Sequence, residues 1–402
     1  MGREDGAAAG RPEGLPLGDL PLVAAGEGFS LLRGVRVVDL TTSIAGPYAT
    51  MLLSDFGAEI IKVERPDGDD ARTWGPPFLN GESLWFAAVN RNKKSVVIDV
   101  ADAGGRTALE KLVAGADVVV TNQPPAVQRK LGLDHDTLKS IRPGLIFVSI
   151  TGFGLTGERA DMTCYDLIAE GYSGIMDLTG EAGGAPQKVG APAADMLAGQ
   201  DAAMATIAAL YDRARTGKGR LIDVSLVESM TRFLTCRITS YLGSGEAPTR
   251  SGGTDSVIAI YQVFGTADEP ITLGLGNDAI WARFWSAVGD PDYARNPDYA
   301  TNALRRSHRA AIVQRIQAIL SGNGRDHWLR VLREARVPAG PINGVDAVSA
   351  DEMLRERGLI YALEDNDRVI PQVSLGIQID GRAGYARSAP PALGEHTQEV
   401  LK

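Results

Sequence analysis

One carboxylate stands apart from its surroundings in this sequence. Asp195 has only small or apolar residues within four positions on either side, and it precedes an alanine-rich segment that predicts a helix over residues 196–215. Capping the free amides of that helix is the ordinary role for such an aspartate. The same amides would also hold a carboxylate ionised and aimed, which nucleophilic catalysis requires. Both roles, cap and nucleophile, stay open for Asp195.

Composition narrows the class of protein. The 402 residues are 44% hydrophobic, which suits two domains with a substantial core. The net charge of −9 gives no overall attraction to nucleic acid. Two cysteines, Cys164 and Cys236, have neither metal-site spacing nor a disulfide framework, which favours a reducing cytoplasm. No apolar run reaches the ~18–20 residues of a membrane span. We therefore expect a cytoplasmic protein that binds neither nucleic acid nor membrane.

Short apolar strands alternate with helical segments through the first half of the chain. The predicted strands are residues 35–40, 58–63, 95–100, 117–121, 145–150 and 221–227. Helices are predicted to begin near residue 46 and residue 106, with helical turns around Gln128 and Leu138. This alternation predicts an α/β fold with a parallel sheet, whose ligands bind beyond the carboxyl ends of the strands. The loops after residues 40, 63, 121 and 150 are the expected location of the chemistry.

The pattern changes after residue 230, which predicts a second domain. A glycine-rich connection at 243–254 leads into short strands at 258–264 and 271–275, followed by helices around Trp281 and Ile312. Residues 1–30 are rich in glycine, alanine and proline and lack a signal-peptide pattern, so we expect a flexible tail there. The predicted division is a tail (1–30), a large domain (31–230), a small α/β domain (231–340) and a C-terminal segment (341–402).

Three other patterns are weaker. Gly152, Gly154 and Gly157 spell G-x-G-x-x-G, but the sequence Glu-Arg-Ala-Asp follows and would place acids where a pyrophosphate binds, so we reject a dinucleotide site. The four histidines have no zinc or triad spacing, and we expect no metal. Cations cluster at residues 90–95 and 128–130; a solvated face is the ordinary explanation, and binding of a phosphate-rich ligand is the alternative.

Eight segments carry a resemblance to a known family. They are residues 32–40 (LRGVRVVDL), 45–47 (AGP), 56–66 (FGAEIIKVERP), 90–95 (NRNKKS), 193–195 (AAD), 215–219 (RTGKG), 337–341 (VPAGP) and 393–397 (LGEHT). Each is weak alone, but in this order and spacing they resemble the class III coenzyme A transferases, which include formyl-CoA and carnitine CoA-transferases. The resemblance covers about residues 31–402.

The resemblance implies an activity and a site. Asp195 would attack an acyl-CoA thioester to form a mixed anhydride and then an aspartyl-CoA thioester, while Tyr165 and Asp166 position the reactants. Amides near Gly252 and Gly253, in the loop that continues to Thr254, would stabilise oxyanions. Contacts to CoA are implied for Ile44, Ala45, Arg65, Ile98, Asp99, Asn122, Gln123, Pro124 and Lys130.

The resemblance also implies an assembly and a class of substrate. The family has a Rossmann-like large domain to which the C-terminal segment returns, and it forms interlocked homodimers. Coenzyme A would be a substrate carried as its thioester, and no separate cofactor is expected. The polar residues Thr254, Asp255 and Ser256 favour a small polar acceptor acid such as a dicarboxylate.

Two alternatives stay open. The same fold serves α-methylacyl-CoA racemases, which move the α-proton with a histidine and an aspartate. In this sequence the racemase histidine position holds Tyr165, which is a weak base. A non-catalytic acyl-CoA-binding subunit is the second alternative, although such a subunit would be expected to lack Asp195.

Overall fold

The computed structural model of the chain describes residues 16–26 and 28–402. These residues fall into two compact units. The first unit contains the residues up to Ile175 together with Lys188–Thr235 and Ser349–Lys402, and the second contains Met176–Gln187 and Cys236–Val348. The sequence had placed boundaries at residues 230 and 340, and it gave no sign that Met176–Gln187 would leave the first unit.

Helices and short strands alternate along the described residues. The helices are Ala45–Asp55 (α1), Leu84–Val89 (α2), Ala103–Ala114 (α3), Pro125–Leu131 (α4), His135–Ile141 (α5), Asp166–Ser173 (α6), Ile175–Leu178 (α7), Ala193–Thr216 (α8), Leu226–Phe233 (α9), Thr235–Ser244 (α10), Asp278–Ala287 (α11), Asn302–Ser307 (α12), Arg309–Leu320 (α13), Arg325–Glu334 (α14), Val345–Ala350 (α15), Glu352–Glu356 (α16) and Thr397–Val400 (α17). The strands are Leu22–Ala24 (β1), Arg36–Asp39 (β2), Glu59–Glu64 (β3), Phe78–Leu79 (β4), Glu82–Ser83 (β5), Lys93–Val97 (β6), Val118–Thr121 (β7), Ile146–Thr151 (β8), Arg220–Ser225 (β9), Tyr261–Phe264 (β10), Ile271–Gly274 (β11), Ala339–Pro341 (β12), Ile360–Asp365 (β13), Arg368–Val373 (β14), Gln378–Ile379 (β15) and Arg382–Ala383 (β16).

Six parallel strands form the main sheet of the first unit, in the order β6–β3–β2–β7–β8–β9. Strands β2, β3, β7 and β8 are buried along nearly their whole length and rich in valine and isoleucine, as strands covered on both faces are. The predicted α/β fold with a parallel sheet is confirmed. Strand order reverses between β2 and β7, and open α/β sheets bind ligands at such a reversal.

Helices α1 and α8 pack closely because small side chains face each other. The buried residues of α8 are nearly all alanine, with Gly199 among them. A Cβ atom added to Gly199 would lie 2.6 Å from the carbonyl oxygen of Ala45, so only glycine permits this approach without a shift. The contact brings the first turn of α1 beside the first turns of α8.

Residues 16–24 correct the expected flexible tail. Strand β1 pairs in parallel with β13, which pairs with β14, so the three form a separate sheet in the first unit. Leu17 and Leu20 are buried against Ala362, and this burial fixes a segment whose composition had indicated a tail. The predicted tail covered residues 1–30. Of these, residues 1–15 and residue 27 lie outside the described residues.

The second unit has its own core. Strands β10, β11 and β12 form an antiparallel sheet, which packs with helices α11, α13 and α14 around buried aromatic residues. Trp281 and Trp285 lie one turn apart on α11 with ring centroids 5.4 Å apart, and both are buried. This helical spacing marks a core stripe.

Candidate active site

The loops at the strand reversal enclose two neighbouring cavities in the first unit. We call them the Asp195 cavity, of about 240 Å³, and the Arg65 cavity, of about 310 Å³, each after one charged residue of its lining. Thr42, Asp70 and Gln123 line both. An elongated ligand could therefore extend from one cavity into the other along the carboxyl edge of the sheet.

Asp195 is the third residue of α8, because this helix begins at Ala193 and not at residue 196. The backbone amides of Ala194 and Asp195 donate to Oδ1 of Asp166 at 2.8 and 3.2 Å. Capping by Asp195 is therefore wrong: Asp166, from the start of α6, satisfies these amides. The Asp195 carboxylate itself makes no hydrogen bond or ion pair with the described residues, and it faces the Asp195 cavity.

The surroundings of Asp195 make it an unusually basic carboxylate. Burial raises the pKa of Asp195 to about 7, and the negative charge of Asp166 acts in the same direction. At neutral pH a substantial fraction of Asp195 is thus ionised and available to attack, while its basicity exceeds that of an ordinary carboxylate. This combination suits a nucleophile for an activated carbonyl group.

The residues before α6 complete the wall around Asp195. Tyr165 lines the Asp195 cavity and is 67% exposed, and its hydroxyl group makes no hydrogen bond within the described residues. Cys164 also lines the cavity, and burial raises the pKa of its thiol to about 11, with Asp195 and Asp166 adding to the effect. The thiol therefore stays neutral and does not compete as a nucleophile.

The residues with implied CoA contacts are divided among several places. Ala45, Asn122, Gln123 and Pro124 line the Asp195 cavity, and Arg65, Gln123, Ile98 and Asp99 line the Arg65 cavity. Ile44 is buried and lines a third, apolar cavity of about 490 Å³ in the same unit. Lys130 is exposed on α4 and lines none of these cavities.

Two of these residues already have protein partners. Arg65 forms an ion pair with Asp70 in which both side chains are 55% exposed, so a phosphate could displace the aspartate at little cost. The side-chain amide of Asn122 accepts from the amide of Thr42 at 3.0 Å and donates to the Thr42 carbonyl at 2.7 Å. Asn122 therefore orients the loop that both cavities share.

A buried charge network, which the sequence did not predict, lies under this loop. Lys62 donates to Asp69 at 2.8 Å and to the carbonyl of Thr41 at 2.9 Å, and Asp69 accepts from the amide of Ser43 at 3.0 Å. Lys62 and Asp69 have no exposed side-chain surface. Burial disfavours the ammonium, but the neighbouring carboxylates outweigh it and raise the pKa of Lys62. The network holds Thr41–Ser43, with Ser43 in the left-handed region at φ 69°, against the sheet edge.

Two of the three cations at residues 90–95, Arg91 and Lys93, neither face solvent nor are free to bind phosphate. Arg91 is buried against Asp55 at 2.6 Å, and Lys93 is buried 3.1 Å from Asp39. Lys94 pairs with Glu59. Charge runs of this kind are ordinarily solvated, and nothing in the spacing showed that the matching carboxylates on β2 and α1 would be buried beside them.

The glycine loop belongs to the second unit. Gly252 has φ 59°, and its amide donates to the carbonyl of Gly180 at 3.0 Å, so that amide is occupied. The amide of Gly253 makes no hydrogen bond within residues 16–26 and 28–402, which leaves it as the candidate oxyanion donor of this loop. The carbonyl of Thr254 accepts from the hydroxyl of Ser251, and this bond closes the turn.

Comparison with known proteins identifies the family of the chain. A family model described as CoA-transferase family III matches residues 32–397. The chain belongs to CoA-transferase family III. The succinate–glutarate CoA-transferase of Agrobacterium fabrum is 40% identical over 379 residues, which cover 92% of this chain and 94% of that protein. The succinyl-CoA:glutarate CoA-transferase of Mus musculus is 37% identical over 375 residues, covering 92% of this chain and 86% of that protein.

A solved structure matches as well. The crystal structure of a CaiB/BaiF family protein from Brucella suis superimposes with a TM-score of 0.83 at 38% identity, covering 93% of this chain and all of that one. The family III assignment therefore extends over both units of the fold.

Other site types find no support in this family III chain. The glycines at 152–157 lead into a loop, and the next helix begins only at Asp166, so the helix end that would bind a pyrophosphate is missing from the described fold. Within the described residues, no group of three or more potential ligands is arranged to hold a metal ion. None of the helices built from those residues is long and apolar enough to cross a membrane.

Proposed function

We propose that this family III CoA-transferase moves CoA from an acyl-CoA donor, with succinyl-CoA as the first candidate, to a dicarboxylic acid through covalent intermediates on Asp195. One observation carries the proposal. Two carboxylates among the described residues line the Asp195 cavity, Asp70 and Asp195. Asp70 is ion-paired with Arg65, whereas the carboxylate of Asp195 has no partner among the described residues. A partly buried carboxylate that faces a cavity and makes no hydrogen bond with the described residues is free to form a covalent bond.

The steps follow from the chemistry of carboxylates and thioesters. An Asp195 oxygen attacks the thioester carbonyl, the C–S bond breaks, and CoA leaves as the thiolate with an aspartyl anhydride in its place. The thiolate attacks the aspartyl carbonyl, which releases the donor acid and leaves an aspartyl-CoA thioester. The acceptor carboxylate repeats the sequence in reverse and leaves as its CoA thioester, regenerating Asp195. Each intermediate keeps an activated acyl bond, so the energy of the thioester is lost only if water hydrolyses an intermediate.

The two cavities give CoA a place consistent with this chemistry. In the proposed arrangement the phosphates lie near Arg65, the chain of CoA passes Gln123 and Thr42, and the thioester reaches Asp195. Tyr165 and Asp166 position the reacting groups. Support comes from the three residues that line both cavities and from the exposed ion pair of Arg65.

We also propose a cytoplasmic homodimer, interlocked as the family resemblance implies. Large apolar side chains are exposed on helices of the first unit: Leu167 and Ile168 on α6 are 50% and 42% exposed, and Met204 and Tyr211 on α8 are 61% and 69% exposed. Side chains of this size cluster on subunit interfaces more often than on free surfaces.

The acceptor class rests on two supports. The relatives from Agrobacterium fabrum and Mus musculus carry names with succinate or succinyl-CoA and glutarate, and the loop of the second unit that includes Thr254 is polar. A dicarboxylate of the size of succinate or glutarate is therefore the proposed acceptor. Two alternatives were open from the sequence. A racemase would need a histidine beside Asp195, and no histidine lines the Asp195 cavity in the described part of this chain. A non-catalytic binding subunit would not need a basic, unpaired Asp195.

The test is an exchange assay with isotopically labelled acids. Succinyl-CoA is incubated with a panel of labelled mono- and dicarboxylic acids in D₂O, and new CoA esters and α-deuterium are measured by mass spectrometry. Transfer to a dicarboxylate supports the proposal; α-deuteration without transfer supports a racemase, and binding alone supports a subunit.

The matched variants isolate the nucleophile. Asp195→Asn should lower the rate by roughly three orders of magnitude, and hydroxylamine should no longer trap a modified aspartate. Asp212→Asn, near the other end of α8 in an exposed pair with Arg220, should keep the activity. Undiminished turnover in Asp195→Asn would rule out the covalent route.

A further inference from the structure

Behind Asp195 lies an acid that the proposed chemistry does not use. Glu170 is on α6, one turn after Asp166, and it is completely buried. Its Oε2 accepts from the backbone amide of Val189 at 2.8 Å. Its Oε1 is buried and has no hydrogen-bond donor among residues 16–26 and 28–402. A buried carboxylate oxygen left in this way is unfavourable, because ionised carboxylates can only accept.

The neighbour of this carboxyl group is another carboxyl group. Glu170 and Asp166 are within hydrogen-bonding reach of each other, four residues apart on the same helix. Burial raises the pKa of Glu170; the amide of Val189 opposes this, Asp166 adds to it, and Lys188 weakly opposes it. Lys188 is exposed, and its ammonium donates to the carbonyl of Val189. Two ionised carboxylates this close repel each other, and a proton on Glu170 would remove that repulsion and supply an O–H donor.

The pair is connected to the start of α8 at two points. Asp166 accepts from the amides of Ala194 and Asp195. Glu170 accepts from Val189, three residues before Pro192, the residue that precedes α8. The two acids thus hold both the helix start and the segment that leads into it.

We propose that Glu170 is a positioning residue that stays protonated in the working enzyme and donates its proton to Asp166, so that Asp166 holds the first turn of α8 and aims Asp195. Glu170 does not touch the substrate. This inference rests on the proposed role of Asp195 as nucleophile.

The conservative test is Glu170→Gln, whose side-chain amide can donate to Asp166 as a protonated carboxyl does and still accept from Val189. We expect kcat and the acidic limb of the pH profile of kcat/KM to stay close to wild type. If Glu170 were ionised, the substitution would remove a negative charge near Asp195 and move the limb to lower pH by on the order of one pH unit. That displacement would overturn the inference.

The opposite variant removes the donor. Glu170→Leu has a similar size but neither donates nor accepts, so Asp166 and Val189 lose their partner. We expect kcat to fall roughly tenfold or more with little change in the KM for the acyl-CoA. A wild-type kcat in a folded Glu170→Leu protein would contradict the proposal.

A spectroscopic readout makes the test independent of turnover and of folding defects in the leucine variant. Infrared difference spectra compare Asp195→Asn with the double variant Asp195→Asn, Glu170→Gln at neutral pH, so that Asp195 does not contribute. Loss of one protonated-carboxyl band in the double variant is the expected result, and identical spectra would overturn the inference. If Asp195→Asn kept its activity, the proposed nucleophile would be wrong while the protonation of Glu170 could still be measured.

Discussion

Replacing Asp166 with asparagine should move the pH dependence of the reaction in a defined direction. Asp195 has to be ionised to attack, so kcat/KM should fall as the pH drops through its pKa of about 7. The asparagine keeps an oxygen that can accept from the amides of Ala194 and Asp195, so the start of α8 should survive. What disappears is the negative charge beside Asp195.

The size of the effect can be bounded from its causes. The pKa of Asp195 rises from an ordinary value of 3.8 to about 7, with burial as the larger cause and Asp166 as the smaller. Removing Asp166 therefore recovers less than half of the rise, or about one pH unit. The acidic limb of kcat/KM should move from about pH 7 to about pH 6.

The assay is CoA exchange between succinyl-CoA and a labelled dicarboxylate, followed from about pH 5 to pH 9 with subsaturating substrate. Asp136→Asn is the matched control, because Asp136 is 96% exposed on α5 and makes the same change in charge. A limb in Asp166→Asn that stays in place or moves to higher pH, or an equal shift in the control, would show that the charge of Asp166 does not raise the pKa of Asp195.

Four further substitutions have predictable effects on stability or on substrate binding. The free energy of unfolding of Asp195→Asn should exceed that of wild type by roughly 2–4 kcal/mol above pH 7 and should equal it near pH 3. The reason is that the folded state disfavours ionised Asp195, so wild type loses stability as the pH rises from about 4 to 7. Urea unfolding at several pH values measures this difference. Gly199→Ala should destabilise by about 1–3 kcal/mol, since its Cβ would press on the carbonyl oxygen of α1, whereas Gly243→Ala, with open space around it, should not lower the Tm. Arg91→Met should lower the free energy of unfolding by about 3–5 kcal/mol, because it leaves the buried carboxylate of Asp55 without its cation. Arg65→Met should leave the Tm unchanged and raise the KM for acyl-CoA.

The main sheet could be predicted from the sequence because its strands are short apolar runs separated by helices. Residues 58–63 and 145–150 were predicted, and β3 and β8 occupy Glu59–Glu64 and Ile146–Thr151. The sheet of β1, β13 and β14 could not be found in the same way. Strand β1 has three residues in a segment rich in glycine and proline, and its partner lies more than three hundred residues away. Its stability comes from tertiary pairing, which local composition does not report.

The site was predictable in part for a similar reason. The isolation of Asp195 among apolar residues is local and visible in the sequence, and the structure places it at a cavity. The partner of each charged group is not local. Asp166 takes the capping bonds expected for Asp195, and Asp39 and Asp55 neutralise cations that the sequence presents as a solvated run. Glu170 gave one faint signal, its position one helical turn after Asp166, but burial decides its chemistry.

The capping by Asp166 gives the proposed reaction part of its driving force. At the start of a helix a carboxylate is ordinarily stabilised by free amides and by the positive end of the helix. Asp166 accepts from the amides of Ala194 and Asp195 and adds a negative charge beside Asp195, so the ionised form of Asp195 is disfavoured relative to a neutral form. In the anhydride and in the aspartyl-CoA thioester Asp195 is neutral, and both the repulsion and the burial of its charge are relieved. The burial and the neighbouring charge that raise the pKa of Asp195 therefore also favour its acylation. Asp166→Asn should show less covalent intermediate at saturating acyl-CoA, measured by hydroxylamine trapping. An unchanged amount of trapped aspartate above pH 8, where Asp195 is ionised in both proteins, would contradict this account of the charge pair.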